Sequence, residues 1–434
     1  MTGDLQPYPA YKDSGVPWLG EVPADWEVQR LKRVCRLVYG DSLPQETRQS
    51  GDIAVHGSNG RVGEHTIANT LAPCLIIGRK GSFGKVNYSQ APVFAIDTTF
   101  YIDQHSTNAN LRWLYYLLTW IRLDSVSKDS AVPGLDREEA YQEPLPVPPL
   151  SEQAAIVRYL DYVDRRIRRS IRAKQKLIAL LNEEKQAIIH QAVTRGLDPN
   201  VRLKPSGVVW LGDVPEHWEV RRLKFLAHIK TGGRDTVHRK DDGAYPFFVR
   251  SQTVERIDSY SFDGEAVLTA GDGAGVAKVF HYINGKFDYH QRVYKFSSFR
   301  KVHGRFFFYY FSCTLRFEAF RETAKSTVDS LRLPMLQNFP VPLPPIEEQD
   351  EIVMAVERQT QELDRSLATI RREISLLREY HTSLTADVVT GKLDVRDAAT
   401  ALPEEDEAPE ALEEAPDEAE EGDESVPEEG EAET

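Results

Sequence analysis

Cysteine is scarce. Cys35, Cys74 and Cys313 lie far apart with no CxxC pair, which excludes a disulfide framework and a zinc site built on cysteine pairs. No apolar run approaches the ~20 residues needed to span a bilayer, and no N-terminal stretch has the basic-then-apolar build of a signal peptide. The expectation is a soluble, cytoplasmic protein without a membrane partner. The eleven histidines show no metal spacing, and His56, His65, His281 and His290 read as turn or surface positions. From Glu404 onward basic residues are absent, against seventeen Asp or Glu. The net charge of −14 therefore belongs to this segment; the rest holds 53 basic against 67 − 17 = 50 acidic side chains. So acidic a tail, with few apolar residues, is expected to be disordered.

What the sequence does have is a repeat. "SGVPWLGEVPADWEVQRLK" (Ser14 to Lys32) returns as "SGVVWLGDVPEHWEVRRLK" (Ser206 to Lys224), identical at fourteen of nineteen positions. The similarity continues: "GRKGSFGKV" from Gly78 aligns on "GDGAGVAKV" from Gly271, and Tyr115-Tyr116 on Tyr309-Tyr310. "SAVPGL" from Ser130 matches "STVDSL" from Ser326, and "LPVPPLSEQAAIV" matches "VPLPPIEEQDEIV". At 434 residues the chain is long enough for two or three domains, and two related copies fill it.

Each copy ends in a long polar segment with an apolar spine. The first reads Ile156, Leu160, Val163, Ile167, Ile171, Lys174, Ile178, Leu181, Lys185, Ile188, Ala192; the second reads Ile352, Val356, Gln359, Leu363, Leu367, Ile370, Ile374, Leu377, His381, Leu384, Val388. The spacings of three and four are the same in both, the seam of a coiled coil with one irregularity. Each helix is expected to follow its proline run and to stop near Gly196 or Gly391. Neither spine is apolar enough for a buried lone helix, so the expected partner of each is the other. Between the repeated stretch at Ser14–Lys32 or Ser206–Lys224, the address of each copy, and the helix lie short Val, Ile, Phe and Tyr runs separated by turns, with one aromatic helix near Trp113 or Phe307. The fold class is α+β with an internal pseudo-two-fold repeat. The segments are 1–150, lead-in plus first head; 151–198, first helix; 199–345, lead-in plus second head; 346–400, second helix; and 401–434, tail.

Catalytic motifs are wanting. "GRKGSFGK" has five residues between Gly78 and Gly84 where a phosphate-binding P-loop needs four, and Val86 stands where Ser or Thr is required. "GDGAG" lacks the third glycine of a dinucleotide fingerprint. No Asn-Pro-Pro or Asp-Pro-Pro motif followed by an aromatic is present. The residue types in the head turns suit DNA instead: Arg61, Arg79, Lys80, Ser82 and Lys85 in the first, with Arg234, Arg250, Ser251, Gln252, Lys278, Gln291 and Arg292 in the second. Arg, Lys and Gln reach base edges or hold phosphates. A coiled-coil scaffold that never touches DNA and a nuclease with an unrecognised site are the rival classes. The scaffold would not need two diversified heads, and the enzyme would not need the helices.

The doubled pattern of "GVPWLGEVPADWEVQRLK", variable domain and "LPVPPLSEQAAIV" with a long helix resembles the specificity subunit of Type I restriction-modification systems. The resemblance covers Ser14 to about Ala398. It implies two target-recognition domains, each reading half of a split site in double-stranded DNA, joined by two antiparallel spacer helices. It also implies two methylation subunits using S-adenosylmethionine, restriction subunits using ATP and magnesium, and no catalysis or cofactor in this chain. In the second copy, Asp272 stands where a basic residue is common in that family, and Asp329-Ser330 replaces Pro133-Gly134.

Overall fold

The computed structural model describes residues 5–125, 134–319 and 330–403; the first four residues of "SAVPGL" and of "STVDSL", and the acidic tail, lie outside them. Four long helices are α1 (Leu111–Ile121), α2 (Leu150–Arg195), α3 (Gly304–Ala319) and α4 (Ile346–Val389). The chain divides into two compact units, one of residues up to 174 with those from 371, the other of residues 175–370; the division passes through both α2 and α4.

In the first unit the strand Glu27–Arg30 pairs antiparallel with Pro144–Val147, so the head's two ends meet in one ladder. Between them, Val38–Tyr39, Thr99–Ile102, Cys74–Gly78 and Val86–Ser89 form a four-stranded sheet in that order. Gly60–His65, Ile53–Gly57 and Phe94–Ala95 form a second sheet. Helix α1 starts at Asn110, whose side chain accepts from the backbone N–H of Arg112 and Trp113, and it buries Trp113, Leu114, Leu117 and Leu118.

The second unit repeats this plan with one change. Glu219–Arg222 pairs with Pro340–Leu343, but the head has a single six-stranded sheet. Strand Phe280–Tyr289 runs unbroken from its antiparallel partner Phe262–Ala270 to its parallel partner Tyr245–Phe248. In the first head the equivalent path is interrupted between Ser89 and Phe94, which splits one sheet into two. Phe307 and Phe311 on the buried face of α3 share a core with Phe296 and Phe339.

The repeated address is the joint between head and helices. In the first unit, Trp26 is fully buried; its Nε1–H donates to Glu152 at the start of α2 (2.9 Å), and a Cβ on Gly391, just past α4, would lie 3.2 Å from its ring. The next residue, Gln153, accepts from Asn110 N (2.8 Å) and so fixes the start of α1. The second unit does the same with Trp218, Glu348 (3.1 Å), Gly196 and Gln349, which accepts from His303 N (2.8 Å). Trp210 stacks on Phe317 and Phe339, whereas Trp18 is half exposed beside Trp120 and anchors little.

Within each unit the two long helices pack antiparallel. In the first, Ile156, Leu160, Val163 and Ile167 join Leu384 and Val388, with Lys174 bonded to Glu373 (2.5 Å) and Asp164 held by Arg168 (2.9 Å) and His381 (3.2 Å). In the second, Ile189, Ala192 and Val193 meet Ile352 and Val356, and Lys185 pairs with Asp364. Two spine positions need correction. Gln359 is exposed and the neighbouring Thr360 is buried, while Ile189 is buried more deeply than Ile188. Gln359 borders the stagger where two four-residue steps adjoin, and there the inward face shifts by one residue.

Candidate nucleic-acid interface

In the first head the glycine-rich turn leaves the strand Cys74–Gly78. A Cβ on Gly78 would meet Ser82 O at 2.1 Å, and one on Gly84 would meet Asp124 N at 2.2 Å, so this backbone admits only glycine at both positions. Arg79 N donates to Thr98 O, and Lys80 bridges Gly134. The Arg79 guanidinium folds back: it donates to Asp97 O through Nη2 (2.6 Å) and lies 5.3 Å from the Tyr39 ring. Lys85 donates to Asn59 O and Oδ1, both at 3.2 Å, and Arg61 pairs with Glu64 on its own hairpin (2.6 Å). Lys80 and Ser82 are exposed, with no side-chain partner among the described residues.

In the second head four of the seven candidates, Arg234, Arg250, Gln291 and Arg292, gather around acidic groups that residue type alone did not single out. Asp272 accepts from Arg292 Nη1 (2.7 Å) and Arg250 Nη1 (3.2 Å). The fully buried Asp288 takes Ser261 Oγ (2.7 Å), Ser259 Oγ (3.0 Å) and Arg234 Nε (3.3 Å). Gln291 donates to Asp235 (2.7 Å), and Gln252 to Lys278 O (2.8 Å), which ties the 251–253 loop to the glycine-rich turn. Ser251 O accepts from His281. His290 is buried rather than superficial; burial holds its pKa below the ordinary range, and its Nδ1 accepts from Arg292 N (3.0 Å). His65 is buried as well.

Backbone pairing corrects the ungapped alignment of the two turns. Arg79 N→Thr98 O matches Gly271 N→Arg292 O, and the bridge Lys80–Gly134 matches Asp272–Ser330. The equivalent of Arg79 is thus Gly271, and that of Lys80 is Asp272. The second turn holds two more residues, since 280 − 271 = 9 positions separate Gly271 from Phe280 where 86 − 79 = 7 separate Arg79 from Val86. Lys278 therefore has no counterpart in Lys85. Ile96 N→His56 O and His290 N→Phe248 O further equate Ser58 with Arg250. One backbone frame carries Ser58, Lys80 and Thr98 in the first head and Arg250, Asp272 and Arg292 in the second.

Fold and site define an internally duplicated protein whose two heads hold differently charged groups on a common frame. The family described as Type I restriction modification DNA specificity domain matches residues 23–178 and again 215–375. The chain belongs to this family. It is 26% identical over 183 residues to the EcoDI specificity subunit of Escherichia coli, 42% of this chain and 40% of that relative's length. To the MjaVIII specificity subunit of Methanocaldococcus jannaschii it is 25% identical over 302 residues, 63% of this chain and 68% of that one. A chain from a structure on complex assembly and conformational transition of the type I R-M system shares the fold, with a TM-score of 0.58 at 16% identity over 86% of this chain and 99% of that chain. Among the described residues no helix is long and apolar enough to cross a membrane.

Proposed function

We propose that the chain is the DNA-recognition subunit of a Type I restriction-modification complex, each head reading one half of a bipartite site in double-stranded DNA. The observation that carries this is the common frame with exchanged side chains, Ser58–Lys80–Thr98 against Arg250–Asp272–Arg292. A duplicated enzyme would keep its reactive groups in both copies; a duplicated reader changes them and keeps the scaffold. Two long helices, each running from one unit into the other, suit a spacer that sets the unread gap. The paired tryptophan joints give two equivalent seats for two methylation subunits, which would use S-adenosylmethionine to methylate adenine. Restriction subunits would add ATP- and magnesium-dependent cleavage, while this chain supplies specificity and no catalysis.

Purified chain, alone and with its methylation subunits, tests the assignment. The assembly is expected to retard selected duplexes and methylate adenine only when the chain is present. Metal-dependent cleavage by the chain alone, or equal binding to every duplex, would overturn it.

A further inference from the structure

The second head's cluster is more than a set of basic residues. Asp272 is only 19% exposed, whereas the two arginines it holds are 47% and 57% exposed, so the surface offers guanidinium groups with the carboxylate behind them. The backbone on either side is closed. A Cβ on Gly275 would meet Arg250 O at 2.5 Å, and Gly271 N donates to Arg292 O at 2.8 Å, which locks the turn against both arginine-bearing segments. Arg250 engages one Nη1–H with Asp272 and has no other side-chain partner among the described residues, and its side chain is 47% exposed, so its Nε–H and Nη2 carry no protein acceptor there. A guanidinium held at one corner and open along one edge matches a pair of acceptors side by side. In duplex DNA the major-groove edge of guanine offers that pair, O6 and N7.

The first head lacks this device. Ser58, in the place of Arg250, is buried and donates to Thr98 O (2.7 Å), and the position of Asp272 holds the exposed Lys80. A point charge on a flexible stem replaces an oriented fork, so the two heads cannot read alike at this site.

We propose that Arg250 reads a guanine in the half-site of the second head, and that Asp272 is the positioning residue that aims it. This rests on the heads being DNA-recognition domains. The test uses the full chain assembled with its methylation subunits, wild type and the variants R250K, D272N and D272E, with methylated adenines mapped across a genome. R250K keeps the charge beside Asp272 and so the fold, which a thermal melt verifies, but loses the fork.

The expected result is a two-part motif in which one guanine of one half-site loses preference by about ten- to a hundred-fold in R250K. D272N should relax the same position more weakly, D272E should restore it, and the other half-site should not change. A purely structural Asp272 would lower the melting temperature without moving the motif. An unchanged motif in R250K, or equal weakening on all sequences with a shallower salt dependence, would overturn the inference and leave the proposed function standing. A wild-type complex with no two-part motif would instead overturn the function, and this inference with it.

Discussion

Lys295 shows how a single residue sets a cost within the second head. It lies on strand Val293–Ser297, 5% exposed, with Nζ 3.3 Å from the centre of the Phe262 ring, and no carboxylate pairs with it among the described residues. Burial, reinforced by Lys230 directly across the strand pair, pushes its ammonium down to about 8. Between about pH 8 and the ordinary lysine range the folded chain binds fewer protons than the unfolded chain, so stability rises with pH across that window. Below pH 8 the full cost of the buried charge is present. Lys295→Met should abolish the rise and add about 1–2 kcal/mol at pH 7, read by urea unfolding at pH 7 and pH 10. Equal pH dependence in both proteins would contradict the assignment. Arg79 and Lys80 separate in the same way. Lys80→Ala should weaken DNA binding by the assembly on all sequences, lower its salt slope by about one and leave the melting temperature alone. Arg79→Ala should lower the melting temperature, because its guanidinium holds Asp97 O and Tyr39. Residue type in Gly- and Ser-containing turns was enough to name the candidates. It did not show that Arg250 and Arg292, 42 residues apart (292 − 250), share Asp272, because strand pairing brings them together and no spacing encodes that.

Among the elements, the tryptophan joints are the connection most exposed to damage. Trp26 packs on Gly391 and donates to Glu152, so it fastens the lead-in to the start of one long helix and the end of the other. Trp26→Ala should cost about 3–5 kcal/mol, measured by thermal or urea unfolding; a loss below about 1 kcal/mol would mean that the joint carries little. Gly391→Ala should be similarly disruptive, since φ is +79° and a Cβ would lie 2.4 Å from Pro23. The helices were readable from the spacing of threes and fours, and their ends from Gly196 and Gly391, because both are local signals. The exchange of Gln359 for Thr360 was not, since a stagger leaves two faces nearly equivalent and packing chooses between them. Nor does the sequence reveal that strand Phe280–Tyr289 is continuous where its counterpart breaks after Ser89; both stretches have the composition of strand and turn.

For the whole molecule, the duplicated plan was legible because fourteen identical positions and matched helices survive divergence. The base contacts proposed for the heads were not, because they would depend on loop geometry that differs between the heads. If two heads on continuous helices read DNA together, the separation of their half-sites is set by helix length and not by base contacts. Removing one heptad from each of α2 and α4 takes out roughly 10 Å of helix, about three base pairs, and should shorten the gap while both half-sites stay the same. The most direct measurement is the map of methylated adenines in a host carrying this chain with its methylation subunits. A motif of two different specified blocks separated by a gap of fixed length is the predicted result. A single continuous motif, or a gap that varies from site to site, would contradict the account.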